Sequence, residues 1–193
     1  MPSQHTDTAT GVLRTEHQLI LAVAHSLATK LAAEQDGTAL EFDDVARYIT
    51  FSRLFADACH HGKEEDMLFP GLEAQGMPHD AGPIAVMLYE HDQGRALVRM
   101  MAEALDDARG GDPDANGDLR AGAAGFVDLI VAHIGKEDHV LFNMADEMIV
   151  GPDCRQLCAR YGETCGRQYE GRTKEDLERL AKEILEGDLE TRT

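Results

Sequence analysis

Two stretches of this chain repeat one pattern of metal-binding side chains. HHGKEEDMLF at residues 60–69 and HIGKEDHVLF at residues 133–142 both read H-x-G-K-E-[ED]-x-x-L-F. On a helix, residues four apart share a face, so the imidazole of His60 lies above the carboxylate of Glu64 and that of His133 above Glu137. Imidazole and carboxylate together suit iron, manganese or zinc, and each copy supplies half a site. A single His-x-x-x-Glu is ordinarily a solvated pair; a duplicated one points to metal. Gly62 and Gly135 hold equivalent places in the two copies, and glycine inside a helix costs about 1 kcal/mol relative to alanine. The shared defect predicts close packing of neighbouring helices near the site.

These residues need long helices to carry them. Apolar residues recur at helical spacing through most of the chain and alternating strand patterns are nearly absent, so the expected class is all-α. The first helix is expected from about Val12 to Glu34, ending at the turn formers Asp36 and Gly37. A second runs from Glu41 or Phe42 to Leu68 or Phe69, with Pro70 and Gly71 as its stop. The third extends from Pro83 to Arg109, and the fourth from about Asp118 to Val150. CRQLCARYG reads as a short helix or turn, and Thr173 with Asp176 makes a capping box ahead of a final helix. Its stripe of Leu177, Leu180, Ala181, Ile184 and Leu185 must dock on something, either the parent bundle or a second copy.

The expected architecture is an antiparallel, up-down four-helix bundle over residues 11–150. A disordered leader (1–10) precedes it, and an appendage (151–193) with a short additional C-terminal helix follows. In such a bundle, residues equally distant from a connecting loop stand at one height. His17 and His60 each lie roughly nineteen residues from the first loop, and His60 and His91 about nine from the second. His91 and His133 sit about eighteen and about sixteen residues from the third. Four helices therefore deliver His17, His60, His91 and His133 to one layer, to which Glu64 and Glu137 belong. Two six-coordinate ions need about twelve donors and this set supplies about eight, leaving room for solvent and an exogenous ligand.

Other candidates read differently. His61 and His139 adjoin the repeats but point about 100° or more off the ligand face, toward the surface or an outer layer. Glu65 and Asp138 face solvent or orient ligands from behind. His25 belongs to core or interface, and His5 and His79 to flexible segments. Tyr48 and Tyr89 are read as packing side chains, with a hydrogen-bonding or iron-ligating role as the alternative. Cys59, Cys154, Cys158 and Cys165 form no CxxC pair and read as free, semi-buried thiols of a reducing compartment. Cys154 and Cys158 share a helix face, and a redox or metal role for that pair is the minor alternative.

The bulk properties agree. A chain of 193 residues suits one domain with a sizeable core, and the formal charge of −18 with no basic run argues against nucleic acid or an anionic membrane as partner. No apolar run approaches a bilayer span and no secretory pattern opens the sequence, so the expected location is cytoplasmic.

The arrangement resembles the hemerythrin-like, or HHE cation-binding, family: a His on helix one, H-x-x-x-E on helix two, a His on helix three and H-x-x-x-E on helix four. The resemblance covers residues 12–148 and rests chiefly on HHGKEEDMLFP and EHDQGR. It implies that His17, His60, Glu64, His91, His133 and Glu137 hold two non-haem iron ions joined by an oxo or hydroxo bridge, with manganese or zinc as substitutes. Oxygen-carrying members place a second His one turn after the third-helix ligand, where this chain has Arg95. With at most four His ligands, one iron is expected to be more open. The expected function is reaction with, or sensing of, O2, H2O2 or NO, including a peroxide- or NO-consuming activity. The alternatives are reversible O2 binding, iron storage or donation of the iron–sulfur repair type, and a zinc-holding structural bundle. The expected partner is a small diatomic or peroxide ligand, on a monomer or homodimer.

Overall fold

The structure is a computed structural model and describes residues 8–35, 41–164 and 167–190. Six helices account for nearly all of it. Helix α1 is Gly11–Gln35. Helix α2 runs without a break over residues 42–74, through Phe42–Phe51, Ser52–His61, Glu64–Leu68 and Phe69–Ala74. Helix α3 is Gly82–Arg109, and α4 covers residues 113–148 through Pro113–Lys136, Glu137–Leu141 and Phe142–Met148. Helices α5 (Gly151–Thr164) and α6 (Lys174–Glu190) follow. The only strand-like feature among the described residues is an isolated bridge between Tyr169 and Arg172. No helix among them is long and apolar enough to cross a membrane.

Helix α2 departs from expectation in the middle and at its end. Ser52–His61 and Glu64–Leu68 are π-helical, and so is Glu137–Leu141 of α4. The N–H of Gly62 reaches the carbonyl of Asp57, and that of Phe69 reaches Glu64, five residues back. Such widened turns concentrate at functional sites. Pro70 does not stop the helix. It has no N–H to give the Asp66 carbonyl four residues earlier, and Arg160 of α5 donates to that oxygen instead, at 3.1 Å. The helix ends later, at Gly76, whose φ is +97°. There the Met77 N–H bonds the Leu72 carbonyl (3.0 Å) and the Gly76 N–H bonds Glu73 (2.9 Å), a Schellman closure with Leu72 and Met77 both buried.

Helix α4 begins earlier than Asp118. The Asp112 side chain caps it by accepting from the N–H groups of Asp114 (2.9 Å) and Ala115 (3.2 Å), and Pro113 fills the first turn. The capping box at Thr173 and Asp176 forms as expected, and α6 docks on the same molecule, with Leu177, Leu180, Ala181 and Ile184 buried against the core. Within the expected leader, Ala9 and Thr10 are fully buried, and Thr10 donates through its N–H (3.0 Å) and hydroxyl (2.9 Å) to the Asp146 carboxylate. The expected stop at Asp36 and Gly37, together with His5 and Cys165, lies outside the described residues.

The core is split. One apolar cluster contains Ile20, Phe55, Val98 and Ile130, and the other contains Leu13, Met67, Met87 and Leu141. Each of α1 to α4 contributes one of these residues to each cluster and a His between them. A polar layer is thus clamped between two apolar ones.

The glycines serve elsewhere than expected. A Cβ at Gly62 would meet only its own helix at 4.0 Å, and one at Gly135 would meet nothing within 4 Å. Close packing is instead the work of Gly122 and Gly125 on α4. Added Cβ atoms there would come within 3.0 Å of Met101 and Leu97 on α3.

Candidate metal centre

His17 comes from α1, His60, His61 and Glu64 from α2, His91 from α3, and His133 and Glu137 from α4. All seven are at most 5% exposed. The facing atoms of His61, Glu64, His91 and His133 lie within 4.8 Å of one another, and so do those of His17, His60, Glu64 and Glu137. Glu64 belongs to both groups. Its Oε1 is 3.5 Å from His60 Nε2 and its Oε2 is 3.4 Å from His91 Nε2. Glu137 also spans them, with Oε2 3.2 Å from His17 Nε2 and 3.3 Å from His133 Nε2. The structure brings all six expected residues together and adds His61.

His61 corrects the helix phase. In an ordinary α-helix it would point about 100° away from His60. Both consecutive imidazoles lie in the π-helical stretch that ends at His61, and both are buried in the interior. His61 is 5% exposed and stacks on His91, ring centroids 3.8 Å apart. His139 stays outside, its Nδ1 on the Gly135 carbonyl at 2.7 Å.

Every inward imidazole has a carboxylate behind it. Nδ1 of His17 meets Asp138 at 2.9 Å, His60 meets Glu16 at 3.0 Å, and His61 meets Asp57 at 3.4 Å. His91 meets Glu65 at 2.7 Å and His133 meets Glu90 at 3.0 Å. Four of these bonds close a ring: α1 supports α2, α2 supports α3, α3 supports α4, and α4 supports α1. A carboxylate fixes the tautomer by accepting a hydrogen bond from Nδ1–H, which leaves the Nε2 lone pair aimed inward. The repeat's lysines complete the pattern. Lys63 bonds Glu16 (3.1 Å to Oε2) and Lys136 bonds Glu90, so each H-x-G-K-E holds its supporting acid with both His and Lys.

Sequence reasoning missed Glu16 and Glu90, although each stands directly before a candidate ligand, in Glu16-His17 and Glu90-His91. Each reaches across to the His of the next helix, which a same-helix reading cannot find. Glu16 is the more buried. Burial raises its pKa, but the bond to His60 and the charges of His60, Lys63 and Lys174 outweigh burial and hold it at about 2. Lys174 of α6 reaches it at 2.8 Å, joining the C-terminal helix to the centre.

Burial pulls His60, His61 and His91 down to about 3, so all three are neutral at ordinary pH. For His17 and His133 burial acts the same way, but their carboxylate neighbours outweigh it and raise both. Glu64 is pushed well above the usual range by burial and by the facing Glu137 carboxylate. Burial raises Glu137 too, but His133 and His17 hold it well below.

The donor set fits metal ions. Nε2 of His17, His60 and His61 and all four oxygens of Glu64 and Glu137 are buried with no hydrogen-bond partner. Each such group costs roughly 1–3 kcal/mol when left unsatisfied. His91 and His133 bring their Nε2 atoms to 3.2 Å, close enough to share one proton or one cation. Cations between these atoms satisfy all of them at once.

Arg95, one turn after His91, is held by acids outside the donor set. It donates to Asp57 (2.9 Å), Glu65 (2.6 Å) and Asp92 (3.1 Å), and to neither Glu64 nor Glu137. His61 brings a fifth imidazole to the same layer, grouped with Glu64, His91 and His133. Tyr48 lies away from the centre, bonded to Ser26, and Tyr89 is 64% exposed. His25 is exposed rather than buried. Cys59, Cys154 and Cys158 form no disulfide among the described residues.

Comparison with known proteins agrees with this geometry. An uncharacterized protein of Mycobacterium tuberculosis is 25% identical over 165 residues, 84% of this chain and 63% of the relative. The iron-sulfur cluster repair protein YtfE of an Enterobacter species is 36% identical over 109 residues, 52% of this chain and 46% of that protein. YtfE of Musicola paradisiaca is 32% identical over 134 residues, 67% of this chain and 50% of that protein. The chain thus spans about half to two thirds of the length of these relatives. No solved structure matches it. The Hemerythrin HHE cation binding domain matches residues 8–145, a span that holds every imidazole and carboxylate of the centre and the acids behind them. A buried His and Glu cluster shaped for cations and a family match over the same residues lead to one conclusion: the chain belongs to the hemerythrin HHE cation-binding domain family.

Proposed function

We propose that α1 to α4 form an antiparallel up-down bundle holding two non-haem iron ions. His61, His91 and His133 would hold one ion and His17 and His60 the other, with Glu64 and Glu137, which reach toward both groups, as the carboxylate donors. The observation carrying this reading is the set of buried, unpartnered imidazole nitrogens and carboxylate oxygens turned toward one another. Five imidazoles and two bridging carboxylates fill about nine of about twelve donor positions, leaving a few for solvent and an incoming ligand. Iron bound there would supply electron exchange with O2, peroxide or NO, and reaction with or sensing of these species is the function proposed. The protein's own part is to keep each Nδ1 proton in a hydrogen bond to a carboxylate, so that Nε2 faces inward, and to pack apolar clusters on either side of the layer.

A second reading, iron donation in iron–sulfur repair, is favoured by the likeness to proteins named for that role. The fifth imidazole favours a third, reversible O2 binding. Anaerobic iron loading followed by mixing with O2, peroxide or NO separates them. About two irons per chain and irreversible oxidation or consumption of peroxide or NO support the leading reading. A stable, reversible spectrum with O2 would establish carriage, and ready loss of iron to an apo iron–sulfur protein would establish donation. A single tightly held zinc with no iron uptake would defeat all three.

A further inference from the structure

A cleft of about 360 Å³ opens beside the three-imidazole end of the centre, between α2, α3 and α4. Its floor is His61, His91 and His133, and its walls are Ala56, Val98, Phe126, Leu129 and Ile130. A ligand of water's size, such as a diatomic gas, occupies about 30 Å³. The cleft is roughly ten times larger than that and falls in the range of sites for small organic molecules, about 300–1,000 Å³. Small residues hollow it out: Gly94 and Ala56 on the walls and the exposed Ala102 at the mouth.

The charges around the cleft are nearly all spent. Asp57 is taken by Arg95 (2.9 Å) and His61 (3.4 Å), and Glu90 by His133 (3.0 Å) and Lys136. Arg95 has three carboxylate partners, and Arg53 pairs with Glu170. Arg99 lines the same cleft, is exposed, and makes no hydrogen bond or ion pair among the described residues. Of the three arginines that line the cleft, Arg53, Arg95 and Arg99, only Arg99 has no carboxylate partner among the described residues, which leaves its guanidinium available to an outside anion. The planar fork of arginine matches a carboxylate.

We propose that this cleft binds a small apolar monocarboxylate. Its carboxylate sits on Arg99 at the mouth, and its hydrocarbon body lies along Val98, Phe126 and Ile130 with the far end toward His61, His91 and His133. The assignment concerns the cleft and does not depend on which metal the centre holds.

Calorimetric titration of the metal-loaded full chain with octanoate and with octanol tests it, using the unmodified protein, Arg99→Gln and Ala102→Trp. Both substitutions are at exposed positions, and circular dichroism checks that each variant is folded. Octanoate is expected to bind roughly tenfold more tightly than octanol, as loss of a charge-assisted pair implies. Arg99→Gln should abolish that difference, and Ala102→Trp should block both ligands. Absence of octanoate binding, equal affinity for octanol, indifference to Arg99→Gln, or binding retained by Ala102→Trp would each overturn the proposal. Metal analysis of the same samples keeps the two readings apart: binding without iron leaves the cleft assignment standing, and iron without binding overturns the cleft assignment alone.

Discussion

Glu65 accepts a hydrogen bond at 2.7 Å from Nδ1 of His91, although the two stand on different helices and Glu65 directly follows Glu64, which belongs to both donor groups. The contact ties α2 to α3 at the height of the centre and fixes which nitrogen of His91 faces inward. Because Glu65 is only partly buried, with its side chain 27% exposed, it can be removed without opening the core. Glu65→Ala should weaken metal binding roughly 10- to 100-fold, the usual effect of losing a carboxylate behind a metal-binding imidazole. Asp92→Ala, which removes the most exposed partner of Arg95, serves as the control. Equal metal affinity in the two variants, measured by competition with a chelator, would show that the ring does not orient the ligands.

His61 and His139 adjoin equivalent motifs and lead to opposite predictions. His61→Ala should lose one metal ion and part of the visible absorption of the iron-loaded protein, since nothing else nearby can replace a buried imidazole on that side. His139→Ala should keep both ions. Full metal content in His61→Ala would return His61 to the outer layer.

The metal-free protein should be most stable near pH 6.5. His60, His61 and His91 titrate at about 3 when folded, so between 6.5 and 3 the unfolded chain takes up protons that the folded chain refuses, and stability falls as pH falls. Glu64, raised by burial, opposes this above its usual value of 4.5, as one group against three. On the alkaline side the raised His17 and His133, with Glu64, lose their stabilising contribution as pH rises through their folded values. Bound metal replaces protons at these atoms and should shift the maximum upward. Urea melts from pH 4 to 9 with and without metal measure this, and a metal-free optimum at pH 8 or above would contradict it.

The four-helix donor layer was legible because α-helical spacing puts His60 over Glu64 and His133 over Glu137, and because loop counts bring His17 and His91 level. His61 was not legible, since its inward aim comes from i→i−5 turns that depend on packing. Glu16 and Glu90 escaped for a different reason. Their partners lie on the next helix, and only the fold converts Glu-His dipeptides into cross-helix supports. The cleft beside Arg99 has no sequence signature, because its walls come from three helices.

The glycines allow a test in which two similar substitutions have opposite signs. Gly135→Ala places a methyl where nothing lies within 4 Å and should stabilise the protein by up to about 1 kcal/mol through helix propensity. Gly122→Ala drives a methyl to 3.0 Å from the Met101 side chain and 3.2 Å from the Leu97 carbonyl, and should destabilise by about 1–3 kcal/mol. Denaturant titration of both variants decides the matter, and a destabilised Gly135→Ala would restore the close-packing role to the repeat glycine.

Arg95 offers the sharpest test of how the two metal positions are supported. One planar guanidinium holds Asp57, which backs His61, and Glu65, which backs His91; both imidazoles face the same position. Lysine keeps the charge, but a single ammonium on a flexible stem cannot hold both carboxylates in a fixed fork. His17 and His60 are backed by Asp138 and Glu16, which Arg95 does not touch. Arg95→Lys should therefore weaken one of two successive metal-binding steps by about tenfold and leave the other unchanged, because only one position loses its oriented ligands. Metal titrations of the apoprotein read both steps. Equal weakening of both would mean that the two positions share their support, and no change in either would mean that Arg95 only decorates the surface.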